Sequence, residues 1–290
     1  MPRYASTALR TPARRERGFP LKSNTTTKAL LTHLNLLDNG KPTNAAMLLF
    51  GGNPQRFHRT AETKCMHLRI IAGGYPAALA RTSIRRRAVW YRDYVETLVQ
   101  RDVRDLARIS SLEVLPRLLQ LAAGQTARLV DVAEMAGPFQ VSRPTIRDYI
   151  TLLERVFLLE SLPPWHSNRL SRLIKTPKLH LGDTGLATTL LGLDASALVK
   201  DRAILSQLLE TFVLQELRRQ ASWHEAPISF HHFRNKDGVE VDIVLERGAQ
   251  ELAGIEVKSS ATVTASDFRG LRKLKETATS ITRSRRSSST

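Results

Sequence analysis

The sequence predicts an α/β protein in which a helical, winged-helix segment precedes a smaller α/β domain. Three observations carry that expectation. A helix-turn-helix pattern starts at Leu129 and runs to Leu153, an amphipathic helix spans Ile204 to Gln220, and two alternating strands follow around Asp242 and Glu256. The expected division is a disordered basic tail over 1–24, a short segment over 25–72, the helical and winged-helix domain over 73–198, the second α/β domain over 199–275, and a disordered basic tail over 276–290.

In the helix-turn-helix, Leu129, Val132, Ala133 and Ala136 give a first short helix that Gly137-Pro138 breaks. Ser142 then caps a second helix, with Pro144 tolerated in its first turn. Ile146, Tyr149, Ile150 and Leu153 repeat at helical spacing and face a core, which leaves Arg143, Thr145, Arg147, Asp148 and Thr151 outward. That outward face is the expected DNA contact. Phe157 to Leu162 and Leu179 to Leu181 supply a wing hairpin, with Arg169, Arg172, Lys175 and Lys178 offered to phosphates. The competing reading is a winged helix that serves only packing or protein interaction.

The later segment carries the chemistry. Ile204 to Gln220 has an apolar stripe of Leu205, Leu208, Leu209, Phe212, Val213 and Leu217, and it also carries Glu210. Val239 to Leu245 places Asp242 on one strand, and Gly254 to Lys258 places Glu256 and Lys258 two apart on the next, on one face, with Ile255 and Val257 turned to the core. Phosphodiester hydrolysis needs a hard cation held by carboxylates, which polarises the phosphoryl oxygen and acidifies a bound water. Asp242, Glu256 and Glu210 are the expected Mg²⁺ ligands, and Lys258 the group that orients the attacking water and shares the developing charge. The alternative is an amphipathic hairpin whose charged side is merely solvated.

Three stretches carry a resemblance: Glu210-Thr211-Phe212-Val213-Leu214-Gln215-Glu216-Leu217, Phe233 to Asp242, and Ile255-Glu256-Val257-Lys258-Ser259-Ser260. They resemble the C-terminal domain, of uncharacterised function, of a prokaryotic AAA-type ATPase family. That domain is similar to the PD-(D/E)xK fold, so the resemblance implies a restriction-endonuclease-like α/β domain after the winged helix. It also implies Glu210, Asp242, Glu256 and Lys258 as the site residues. Gly73-Gly74-Tyr75-Pro76, the segment Tyr91 to Leu106, and Pro177 to Leu186 look like the same family's stretch ahead of that domain. Thr25 to Leu30, Leu36 to Phe57 and Glu62 to Cys65 are instead similar to part of RecG-related transcriptional regulators with a DNA-binding domain. Locally, Asp38-Asn39-Gly40 reads as a turn, Thr43 caps a helix through Phe50, and a strand is expected around Lys64 to Ile71.

No G-x-x-x-x-G-K-[ST] loop occurs, so no ATP site and no ATP hydrolysis are expected of this chain. The region beyond Lys275 is low in complexity, and together with the mixed resemblances it suggests a fused, truncated remnant. A non-catalytic module that docks on a protein partner is the rival function. The formal net charge of +17 argues little for a groove, because residues 1–28 and 265–290 hold +11 of it. One cysteine, Cys65, excludes an internal disulfide framework and a multi-cysteine zinc site. His231 and His232, adjacent on an expected strand, point to opposite faces and make poor metal partners. No apolar run approaches the ~20 residues that span a bilayer. The Arg- and Ser-rich N-terminus suits a transit peptide in composition but lacks an amphipathic stripe, so the expected location is cytoplasmic.

Overall fold

The computed structural model describes residues 37–38, 41–42, 61–103, 113–166, 176–248, 251–259 and 264–287. The chain divides into two units, Met1–Leu68 and Arg69–Thr290. In the first, strands β1 (Leu37–Asp38) and β2 (Lys41–Pro42) pair antiparallel with Asp38 opposite Lys41, flanking the expected turn. The helix expected from Thr43, and residues 1–24, lie outside the described residues.

The strand expected around Lys64 to Ile71 is a helix, α1 (Ala61–Ala72). Ala61, Glu62, Lys64, Met66 and Leu68 are strong helix formers. Adjacent Ile70 and Ile71 are both buried while Leu68 is exposed, a pattern that strand alternation does not produce.

Arg69–Thr290 is a mixed α/β unit of helices and two small antiparallel sheets. Helices α2 (Pro76–Leu79) and α3 (Ile84–Thr97) lead into a π-helical turn, Leu98–Val103. Tyr91, Val95, Val99 and Val103, four apart, form its buried edge. Helix α4 (Val114–Gly124) follows, then strand β3 (Arg128–Leu129) and helix α5 (Val132–Ala136), capped by Asp131. Leu129 therefore belongs to a strand, because Asp131 accepts from the Ala133 and Glu134 amides and starts the helix later than the apolar pattern suggests.

After the tight turn Gly137–Phe139 and left-handed Gln140, helix α6 (Arg143–Arg155) begins at Ser142, whose hydroxyl accepts from the Thr145 amide at 3.2 Å. Ile146, Tyr149, Ile150 and Leu153 are buried as the periodicity requires, and Leu152 joins them. Strands β4 (Leu159–Leu162) and β5 (Lys178–Leu181) pair antiparallel, with Leu162 opposite Lys178, and β3 lines the other edge of β5. Gly182 is required where the chain leaves β5, since a Cβ there would lie 2.2 Å from the Phe157 carbonyl oxygen. Helices α7 (Thr184–Leu190) and α8 (Ala195–Lys200) complete this lobe.

Helix α9 (Arg202–Ala221) joins the two lobes. Leu205 and Leu208 sit in the large core with Tyr91, Leu118, Ile146 and Leu186, whereas Leu214 sits with Leu162, Phe230 and Ile243. The second sheet is β6 (Ile228–Arg234), β7 (Glu240–Arg247) and β8 (Glu251–Ile255), in that order, with Ile243 opposite Ile255. A register shift between His231 and Phe233 breaks the alternation, so His231 and His232 are both buried. A bridge between Pro164 and His232 ties the end of the β4 segment to β6.

Helix α10 (Arg269–Ser287) closes the unit and corrects the expected domain end at 275, because residues 276–287 are helical rather than a disordered tail. Leu271, Leu274 and Ala278, at helical spacing, pack against Trp165, Phe233, Val241 and Val244. Among the described residues, no helix is long and apolar enough to cross a membrane.

Candidate functional site

The second lobe gathers charged side chains from three elements. Glu210 lies at mid-length of α9, Asp242 on β7, and Glu256 and Lys258 just beyond the end of β8. Register makes this possible, since Ile243 opposite Ile255 sets the Val257 amide against Asp242, whose Oδ2 accepts from it at 2.9 Å. The Asp242 carboxylate lies beside Glu256, and Lys258 Nζ stands 3.2 Å from Glu256 Oε2. Gly270 allows α10 to press against this corner, because a Cβ there would meet the Glu240 carbonyl and Glu256 Oε1. The four residues expected of a nuclease centre thus share one neighbourhood.

A fifth member was assigned elsewhere by the sequence. Lys178, expected to meet phosphates from the wing, is 5% exposed and turned inward. Its Nζ donates to Glu210 Oε1 at 2.8 Å and lies 3.4 Å from Asp242 Oδ1. That correction has a simple cause. All four residues of β5 are buried, so a lysine there must find carboxylates to remain charged.

The electrostatics follow from burial. Glu210, with 12% of its side chain exposed, is pushed up to about 8, chiefly by loss of solvent, against the pull of Lys178 and with a further push from Asp242. Glu256 rises to about 7 for the same first reason, reinforced by the Asp242 charge. Burial works against the charge of Lys178, but Glu210 and Asp242 outweigh it and hold its ammonium above the usual lysine range. Lys258 is likewise raised, with desolvation outweighed by Glu256.

As folded, this arrangement does not fit Mg²⁺ held by Glu210, Asp242 and Glu256. Oxygen ligands approach Mg²⁺ at about 2.0–2.1 Å, and the space shared by Glu210 and Asp242 is taken by an ammonium. Among the described residues, no three His, Cys, Asp or Glu side chains form a group able to hold a metal ion. The cluster's acids are mostly shielded from solvent, and Lys258 is its outermost charge.

The expected DNA face lies in the other lobe. Arg143, Arg147, Asp148 and Thr151 are exposed on α6, while Thr145 is half-buried and bonded to the Ser142 hydroxyl at 2.7 Å. Neither Arg143 nor Arg147 enters an ion pair with another described residue. Arg169, Arg172 and Lys175 lie outside the described residues.

Asp183 is a polar hub that the sequence reading did not single out. Its carboxylate accepts from the Gly74 amide at 2.6 Å, the Tyr91 hydroxyl at 2.7 Å and the Leu186 amide at 3.0 Å. Burial, then the Asp183 charge, raises the Tyr91 hydroxyl well above the usual tyrosine range. The hub forms one wall of a cleft of about 550 Å³ that Glu160, Gln215, Arg218 and Arg219 also line. The sequence signal was Asp183 directly ahead of Thr184-Gly185, an N-cap position. A second buried chain links Thr126, Thr211 and His180, and desolvation holds the His180 imidazole far below its ordinary range, in the neutral form.

Residues 63–197 match a domain of unknown function, DUF8612, and residues 205–287 match another, DUF4143. Over 192 residues the chain is 28% identical to an uncharacterized protein of Mycobacterium bovis and, to the same extent, to an uncharacterized protein of Mycobacterium tuberculosis. These alignments cover 66% of this chain and 42% of each relative, so the chain spans less than half the length of the curated proteins it matches. No solved structure matches. The chain is thus similar to two domains of unknown function in succession, the second beginning within α9.

Proposed function

We propose that this chain is a DNA-associated protein in which α5, α6 and the β4–β5 hairpin act as a winged helix. In the same reading, α9, β6, β7, β8 and α10 form a restriction-endonuclease-like lobe. The observation that carries it is α6 itself. One face is sealed into the core through Ile146, Tyr149 and Leu153, and the other presents two guanidiniums that no described side chain engages. Asp148, exposed on the same helix, limits the contact to its N-terminal part.

The test is duplex binding by the full chain across a salt series. Arg143→Ala with Arg147→Ala is expected to weaken binding and to reduce the slope of log affinity against log salt by about 2, roughly one per lost phosphate contact. Unchanged affinity and slope would assign α6 to packing alone.

A second reading, Mg²⁺-dependent phosphodiester cleavage, has one observation behind it, that Glu210, Asp242, Glu256 and Lys258 lie in one neighbourhood, and it requires Lys178 to leave the space between Glu210 and Asp242. Plasmid nicking with Mg²⁺ or Mn²⁺, compared among wild type, Asp242→Ala and Lys258→Ala, decides it. Metal-dependent nicking lost in both variants supports cleavage, whereas equal activity in all three reports a contaminant.

A further inference from the structure

We infer that Lys178 is a built-in counter-cation that occupies the place between Glu210 and Asp242 and keeps the acidic cluster closed to divalent metal. It joins β5 of the first lobe to the acids of the second and stands whether or not α6 meets DNA.

The argument begins with reach. Lys178 belongs to β5, a strand of the first sheet, yet its ammonium is bonded to a carboxylate of α9 and lies beside one on β7 of the second sheet. A lysine combines a compact charge with a four-carbon stem, which is what spanning that gap requires. At 5% exposure the ammonium has little water to fall back on, so its partners are those two acids.

Four of the six carboxylate oxygens are already committed. Glu210 Oε1 and Asp242 Oδ1 face Lys178, Asp242 Oδ2 accepts from the Val257 amide, and Glu256 Oε2 faces Lys258. A divalent ion would need several of the same lone pairs at about 2.0–2.6 Å. Charge agrees with geometry. Three carboxylates with two ammoniums leave one formal negative charge, whereas removal of Lys178 leaves two, the complement of a divalent cation.

Mn²⁺ titration of the full chain, read by electron paramagnetic resonance, tests this without recourse to activity. Wild type and Asp242→Asn are expected to bind Mn²⁺ equally weakly. Lys178→Met should gain one site at least tenfold tighter than wild type, and that gain should vanish in Lys178→Met with Asp242→Asn. If Lys178→Met folds only when Mn²⁺ is added, as read by far-ultraviolet circular dichroism, the inference is equally supported. Wild-type binding tenfold tighter than that of Asp242→Asn overturns it, and this comparison does not depend on the lysine variant folding. A folded Lys178→Met with no gain in affinity overturns it as well.

Discussion

Two sets of cations in this molecule make opposite use of the same charge. Arg143 and Arg147 stand on the outer face of α6 with no acidic partner among the described residues, while Lys178 lies inside, in contact with two acids. The difference teaches that position in a basic stretch does not assign a role. Burial does, because a charge in water needs no partner and a charge out of water needs nearly a full complement.

The sharpest way to break this comparison is to remove one member of each set. Lys178→Met leaves Glu210 and Asp242 facing one another without a counter-charge. It should cost about 3–5 kcal/mol in urea unfolding, the usual penalty for breaking a buried pair. A loss below about 1 kcal/mol would mean that the ammonium is solvated and the contrast is false.

An intermediate effect is expected from pH. Glu210 has a folded value of about 8 against an ordinary 4.5. The folded state therefore binds more protons than the unfolded state between those limits, and stability attributable to this group is lost as pH rises through them. Relative to Glu210→Gln, wild type should lose at least a factor of ten in its unfolding equilibrium between pH 5 and pH 8.5, about 1.4 kcal/mol. Parallel stability profiles for the two proteins would show that Glu210 does not hold its proton.

The smallest effect belongs to the outer set. Arg143→Ala and Arg147→Ala should each shift stability by no more than about 0.5 kcal/mol, as surface changes do. A larger loss from either would place its guanidinium in the fold and weaken its assignment to DNA.

Local pattern made a good part of this legible. The 3.6-residue repeat in α6 named four of its five core residues, and the two-residue repeat around Asp242 and Glu256 brought carboxylates and a lysine together, although Glu256 and Lys258 lie just past the end of β8. What failed had no local signature. Lys178 sits in a strand buried at every position, where alternation carries no information and only a neighbouring sheet explains the charge. Near Ile70 and Ile71, two β-branched residues suggested a strand, but the helix formers ahead of them prevailed. Basic composition after Lys275 hid the stripe Leu271, Leu274 and Ala278 that fastens α10 to the second sheet.

Helix α9 has a consequence for how this chain tolerates rearrangement. The matched stretches part between residues 197 and 205, yet Leu205 and Leu208, which fall in the second, help build the interior of the first. A fragment ended at that seam would lose a wall of its own interior, and the complementary fragment would carry a bare hydrophobic ridge. Recombination that respects the seam in sequence would divide a shared interior in three dimensions.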